Sequence, residues 1–316
     1  RGEHYGDDLT LGPTGIGWER QMVEYPSVIQ EGDHLRLFYN GNSYGATGMG
    51  TAVSAPLRAF ITEGMCALRI VASCEDFEWL YRCPEGLNCN EGTFKSYDCP
   101  VLDWQGPNEN GQVWHEWETN DADFAILNSK DGDMTIIQGI SYRVIVNHVK
   151  NGLEIKMTIM NKTNQTFHNV MGVPCLSARS EQFTDTDMER TYVETASGLT
   201  LLKDTDRGTG EKCRTHYHVE GEATNQHPGE WYWGERSQTT LVSGAILRES
   251  LDGQYTIATS WQRVLQVKDN QDEHACIHSD FCFGDLEPFE TKSVKGRILF
   301  IRGDAAAALK ELKESL

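Results

Sequence analysis

The run that most constrains this chain lies near its middle. Residues 134–149, MTIIQGISYRVIVNHV, are rich in β-branched side chains, and Lys150-Asn151-Gly152 follows. The next segment alternates strictly, with Leu153, Ile155, Met157 and Ile159 on one side and Glu154, Lys156 and Thr158 on the other. A period of two marks a half-buried strand, because successive side chains point to opposite faces. Asn-Gly supplies the positive φ angles of a two-residue type I′ turn, so the two runs are expected to pair as an antiparallel hairpin.

The same reading extends along most of the chain. Strands are expected at 191–195, 216–219, 239–249, 255–264 and 291–301, separated by turn signals such as Ser197-Gly198, Asp252-Gly253 and Glu287-Pro288. Only the end reads as helix: Asp304 is placed to cap Ala305–Leu316, AAAALKELKESL, which is rich in strong helix formers. Strands do not alternate with helices, which excludes a doubly wound fold. The expected class is all-β: a large antiparallel β-sandwich over 69–303. An N-terminal β-hairpin segment occupies 1–55, a connector 56–68 and a C-terminal helix 304–316.

Composition narrows the partners. A net charge of −19 repels phosphate backbones, so nucleic acid is not an expected partner. No apolar run approaches the roughly 18 residues that a membrane helix needs. The start, RGEHYGDD, has neither the basic nor the apolar part of a signal peptide. The nine cysteines include no CxxC pair. Reduced thiols in a cytoplasmic protein are the expectation; a secreted chain with one disulfide among Cys83, Cys89 and Cys99, in a Gly/Asn-rich loop, is the alternative. Two sequons begin at Asn161 and Asn164.

Two resemblances rest on motifs. In residues 21–54, Glu24 precedes Pro26 by two residues, the strand HLRLFYN follows, and a Gly/Asn-rich turn comes next. This resembles one blade of the propeller of glycoside hydrolase family 43 and its arabinanase and invertase relatives. The resemblance implies a carbohydrate context. The partner carboxylates of Glu24 would stand on other blades that the chain lacks, so the segment is expected to pair with a partner chain or a second copy. The second set is Gly152, Leu153, Ile155, Met157, Ile159 and Asn161, with Leu286, Pro288, Phe289 and Glu290 before the last strand. These resemble the middle hairpin and the closing turn of the galactose-mutarotase-like supersandwich, with Phe289 at the family's glycine. The family's catalytic run would follow the Asn161 strand, where this chain reads HNVMGVPCLSARSEQF.

Several clusters carry groups suited to sugars, which stack on aromatic rings while carboxylates and amides take their hydroxyls. In DWQGPNENGQVWHEWET, Trp114, Glu116 and Glu118 share one strand face, or form a core row beside solvated acids. In QHPGEWYWGER, Trp231, Trp233 and Glu235 share a face beside a turn. Residues 269–280, DNQDEHACIHSD, hold two histidines and four carboxylates and read as a polar loop. There His278 with Asp280, or His274 with Glu273, suits acid–base chemistry. Arg190, in TDTDMERTY, is a candidate fork for an acidic sugar. Gly210, His216, His218, Glu222 and Gly229 match the spacing of the first cupin motif, with two imidazoles on one strand face.

The leading expectation is a carbohydrate-active or carbohydrate-binding protein that takes a sugar or acidic oligosaccharide on the concave face of the sandwich, without a cofactor. If it turns over, as a hydrolase, lyase or epimerase, His278 or His274 is the general acid–base and Glu116 or Glu235 its partner. Arg190 then anchors an anion, Trp114, Trp231 and Trp233 stack, and Glu118 and Asp280 bind hydroxyls. The alternatives are a non-catalytic assembly module and a cupin-like metalloenzyme with one divalent transition metal on His216, His218 and Glu222.

Overall fold

The computed structural model describes residues 24–31, 34–46, 48–53, 57–61, 67–72, 77–95, 104–108, 111–118, 137–207, 214–221, 235–270 and 275–316. The chain runs through β1 (Glu24–Glu31), β2 (His34–Asn40), β3 (Met49–Val53), β4 (Leu57–Ile61), β5 (Leu68–Ala72), β6 (Glu78–Cys89) and β7 (Gly92–Lys95). Next come β8 (Val113–Glu118), β9 (Ile140–Val149), β10 (Gly152–Asn161), β11 (Phe167–Ala178), β12 (Thr191–Thr195), β13 (Gly198–Leu201) and β14 (Arg214–His218). Then follow β15 (Glu235–Arg236), β16 (Leu241–Glu249), β17 (Tyr255–Trp261), β18 (Val264–Asn270), β19 (Ile277–Leu286), β20 (Thr291–Arg302) and α1 (Ala305–Ser315). No described helix is long and apolar enough to cross a membrane.

Two units separate. The first holds the antiparallel meander β1-β2-β3, whose last turn is closed by a bond from the Gly41 amide to the Gly48 carbonyl at 3.0 Å. Three described strands fall one short of the four of a propeller blade, so the expected blade is not shown.

The second unit is an all-β sandwich. Its eight-stranded sheet runs β13-β12-β16-β17-β20-β10-β9-β8. Its nine-stranded sheet runs β15-β14-β18-β19-β11-β6-β5-β4, with β7 added beside β6. Residues 56–68, expected as a connector, instead contribute β4, which pairs with β5 along the edge of the second sheet.

Between the sheets lies the core. Leu153, Ile155, Met157 and Ile159 are fully buried, as their alternation demands. Trp79 of β6 meets Phe300 of β20 edge-on at 5.7 Å, and Phe281 of β19 stacks on Trp261 of β17 at 3.9 Å. Helix α1 covers the outer face of the eight-stranded sheet. Its Ala305, Ala308, Leu309 and Leu312 lie on Leu247, Ala258, Leu299 and other apolar side chains. Each such leucine contributes about 1.5–3 kcal/mol. The Asp304 carboxylate caps the helix by accepting from the Ala307 amide at 2.8 Å.

The central hairpin forms with a different turn. Gly152 pairs with Val149, so Lys150 and Asn151 make the loop, and neither has a positive φ. Gly152 serves another need: its φ is 151°, and a Cβ there would lie 1.9 Å from the Ile298 carbonyl oxygen. Gly152→Ala is therefore expected to cost about 1–3 kcal/mol, read as a lower urea midpoint. An unchanged midpoint would show that β10 and β20 need no such close approach.

Asn161, at the end of β10, is buried. Its amide donates to the carbonyls of Gln165, Leu286 and Glu287 at 2.8, 3.1 and 3.0 Å. It ties the hairpin to the turn before β20, which leaves this sequon without an accessible acceptor.

Candidate functional site

The outer face of the nine-stranded sheet carries the densest chemistry. Side-chain direction follows from β19. Phe281 and Ser279 point at the other sheet, Ser279 donating to the Gly244 carbonyl at 2.8 Å. His278 and Asp280 therefore point away from it. Across neighbouring strands His216 stands opposite Lys268, and Lys268 opposite His278. Leu176 opposite Ile277 places Cys175 opposite His278, and Cys175 in turn faces Arg82. A second row holds His218, Gln266 and Asp280.

These polar groups are closed to solvent: His216, His218, Gln266, Lys268, His278 and Asp280 are all buried. Lys268 Nζ reaches Asp280 Oδ2 at 2.8 Å, and Gln266 Nε2 donates to the same oxygen at 2.7 Å. Asp280 Oδ1 and Gln266 Oε1 are buried acceptors with no donor among the described residues. Nδ1 of His278 donates to the Pro174 carbonyl at 2.9 Å and lies 3.7 Å from Glu85 Oε2.

Burial shifts the ionisation of this face. It lowers His216 to about 4, helped by the charges of His218, Lys268 and Arg236. Burial and Arg236 lower His218 to about 4 as well, so both rings are neutral near pH 7. Burial raises Glu85. Burial also opposes the charge on His278, but the Cys276 hydrogen bond and the Glu85 carboxylate outweigh it and raise His278. A hydrogen bond from Cys175 lowers Cys276 to about 4, while the same bond and burial raise Cys175.

The expected site residues divide. His278 and Asp280 come together, and not in a loop: they stand on β19. Both imidazoles of the metal alternative, His216 and His218, share their face at a ring separation of 5.7 Å. Among the described residues no third ligand joins that pair. Glu116 does not partner His278. It belongs to β8 of the other sheet, exposed, with Arg143 at 3.1 Å, and Glu118 beside it pairs with Lys162 at 2.6 Å. Those four line an open hollow of about 550 Å³ with Thr158 and Met160. Trp114 is half-buried on the same side of β8.

Arg190 is not placed as an anion fork. Its Nη1 donates to the Gln182 and Glu249 carbonyls at 2.9 and 2.8 Å, and its Nη2 to the Thr184 carbonyl at 2.7 Å. A guanidinium so engaged holds loops rather than a ligand. Glu235 is exposed on the edge strand β15. Trp231, Trp233, Glu222, Glu273, His274 and Cys99 lie outside the described residues.

Five residues of this face were not anticipated: Glu85, Cys175, Gln266, Lys268 and Cys276. Gln266 and Lys268 flank Val267, an alternation that Asp269 cuts short. Glu85 sits in RCPEGLNC, which its glycine, asparagine and proline mark as loop but which forms β6. Cys83 and Cys89 of that strand are buried and not joined in a disulfide. Glu85, Cys175 and Cys276 have no such signal, since only strand pairing brings them to His278.

No protein-family model matches the chain, and no curated protein matches it. Solved structures do. A galactose mutarotase-like protein from Lactobacillus casei shares 10% identity over 78% of this chain and 98% of its own, with a TM-score of 0.46. A second from Clostridium acetobutylicum shares 10% identity over 88% and 98%, with a TM-score of 0.43. A galactose mutarotase related enzyme from Lactobacillus acidophilus shares 9% identity over 78% and 98%, with a TM-score of 0.43. The structural neighbours of this chain are galactose mutarotase-like proteins; at these scores neither activity nor ligand passes from them to it.

Proposed function

We propose that this chain is a carbohydrate-active protein whose saccharide rests on the outer face of the nine-stranded sheet, over His216, His218, Gln266, Lys268 and Asp280. One observation carries the reading: Asp280 Oδ1 and Gln266 Oε1 are buried acceptors that no described residue satisfies. A buried polar atom without a partner is costly, by about 1–3 kcal/mol, so a pair of them calls for donors from elsewhere. Neighbouring hydroxyls of a sugar supply two such donors at once. Lys268 and the neutral imidazoles add groups that donate to hydroxyl oxygens. The resemblance of the β9–β10 hairpin and the closing turn to galactose-mutarotase-like sequences selects a saccharide among polyols. The face is closed to solvent, so binding takes place in a state that uncovers it.

A glycan array probed with the purified chain identifies the preferred sugar, and calorimetry then measures it. Asp280→Asn and Gln266→Leu are each expected to weaken binding by at least about tenfold, or 1.4 kcal/mol. Unchanged affinity in both, with native circular dichroism, would sink the proposal.

A further inference from the structure

On this face two sulfurs and an imidazole converge. Cys175 on β11, Cys276 just before β19 and His278 on β19 are all buried, and one ligand atom from each lies within 4.8 Å of the other two. Among the described residues no other group of three metal-ligating side chains gathers in this way. We propose that Cys175, Cys276 and His278 form a binding site for one soft divalent cation of the zinc class. The site goes beyond the saccharide reading and does not depend on it.

The chemistry of the donors sets the cation. Two thiolates and an imidazole suit zinc and similar borderline ions, whereas magnesium and calcium prefer oxygen. Zinc–sulfur and zinc–nitrogen bonds of about 2.3 and 2.0 Å in a tetrahedron place the ligand atoms about 3.5–3.8 Å apart. The observed bound of 4.8 Å asks each side chain to close by no more than about 1 Å.

Two further features fit. His278 Nδ1 already donates to the Pro174 carbonyl at 2.9 Å. That bond orients the ring, as a second partner does for most metal-bound histidines. A dication with two thiolates is electrically neutral, which relieves the cost of charge in a site closed to solvent. Three protein ligands leave a fourth position for water or a ligand oxygen, the arrangement of an open rather than a structural centre. Binding releases the thiol protons still held by the two cysteines, so loading weakens on acidification. The role expected of His278 changes accordingly: a ring nitrogen that holds a cation does not shuttle protons.

The test uses the full chain, stripped with a chelator and reloaded with zinc or with cobalt(II). Elemental analysis after removal of excess metal is expected to give about one zinc per chain, and cobalt loading an intense thiolate-to-metal charge-transfer band. Cys175→Ser and Cys276→Ser should each lower retained zinc at least tenfold and abolish the band. Cys282→Ser, at another buried cysteine of the same sheet, should leave both unchanged. The band needs no variant, so a misfolded mutant does not hide the answer. The proposal is overturned by a folded chain with reduced thiols that retains no zinc. It is equally overturned by zinc retained in full by the Cys175→Ser/Cys276→Ser double variant. Saccharide affinity in Gln266→Leu is measured apart, so either proposal fails without the other.

Discussion

Lys268→Met is expected to lower the stability of the sandwich by about 3–5 kcal/mol, a large share of what a domain has. The reason is solvation. Lys268 and Asp280 are 2% and 0% exposed and meet at 2.8 Å, so neither ion keeps its water. Removing the ammonium leaves a buried carboxylate that, among the described residues, only Gln266 still holds. The double variant Lys268→Met/Asp280→Leu is expected to recover most of the loss, because an apolar pair carries no desolvation penalty. Urea unfolding at pH 7 measures both. A single variant that loses less than about 1 kcal/mol would mean that water reaches the pair. The recovered double variant should bind no saccharide, which would mark the pair as kept for function and not for stability.

Acid is expected to unfold the protein through His216 and His218. Their folded values near 4 lie below the ordinary histidine value of about 6.5. Between those limits the unfolded chain takes up protons that the folded chain refuses, so stability falls as pH drops from about 6.5 to 4. A shift of this size corresponds to about 3 kcal/mol per ring. Asp269 opposes them: burial raises it to about 6, so its contribution grows as pH falls below that value. His278, also raised, contributes below its folded value and loses that contribution as pH rises through it. The informative quantity is therefore the difference between wild type and the His216→Asn/His218→Asn double variant, from urea midpoints at pH 7 and pH 4.5. The variant should be markedly less sensitive to acid; equal slopes would mean that water reaches both rings.

Much of the fold was legible where one face of a strand meets the core. β10, β12 and the first half of β20 declare themselves by alternation, because the apolar side must be buried and the polar side need not be. Legibility failed where loop-forming residues sit in a strand. β6 carries proline, glycine and asparagine and still occupies the middle of the nine-stranded sheet. β4 was lost in a segment that looked like a connector. The turn at Lys150–Asn151 failed for a third reason: Gly152 answers to a neighbouring strand, β20, that the local sequence does not contain.

Taken alone, the sequence determined the all-β class, the central hairpin, the terminal helix and the presence of His278 and Asp280 in one segment rich in titratable groups, since each depends on residues a few positions apart. Only the tertiary structure decided which groups meet. Strand pairing joins β11, β14, β18 and β19 from distant parts of the chain and sets Cys175, Lys268 and His216 in line with His278, while it carries Glu116 to the other sheet. Register between strands is a long-range property, fixed by how the whole apolar face packs, and no local run of residues encodes it.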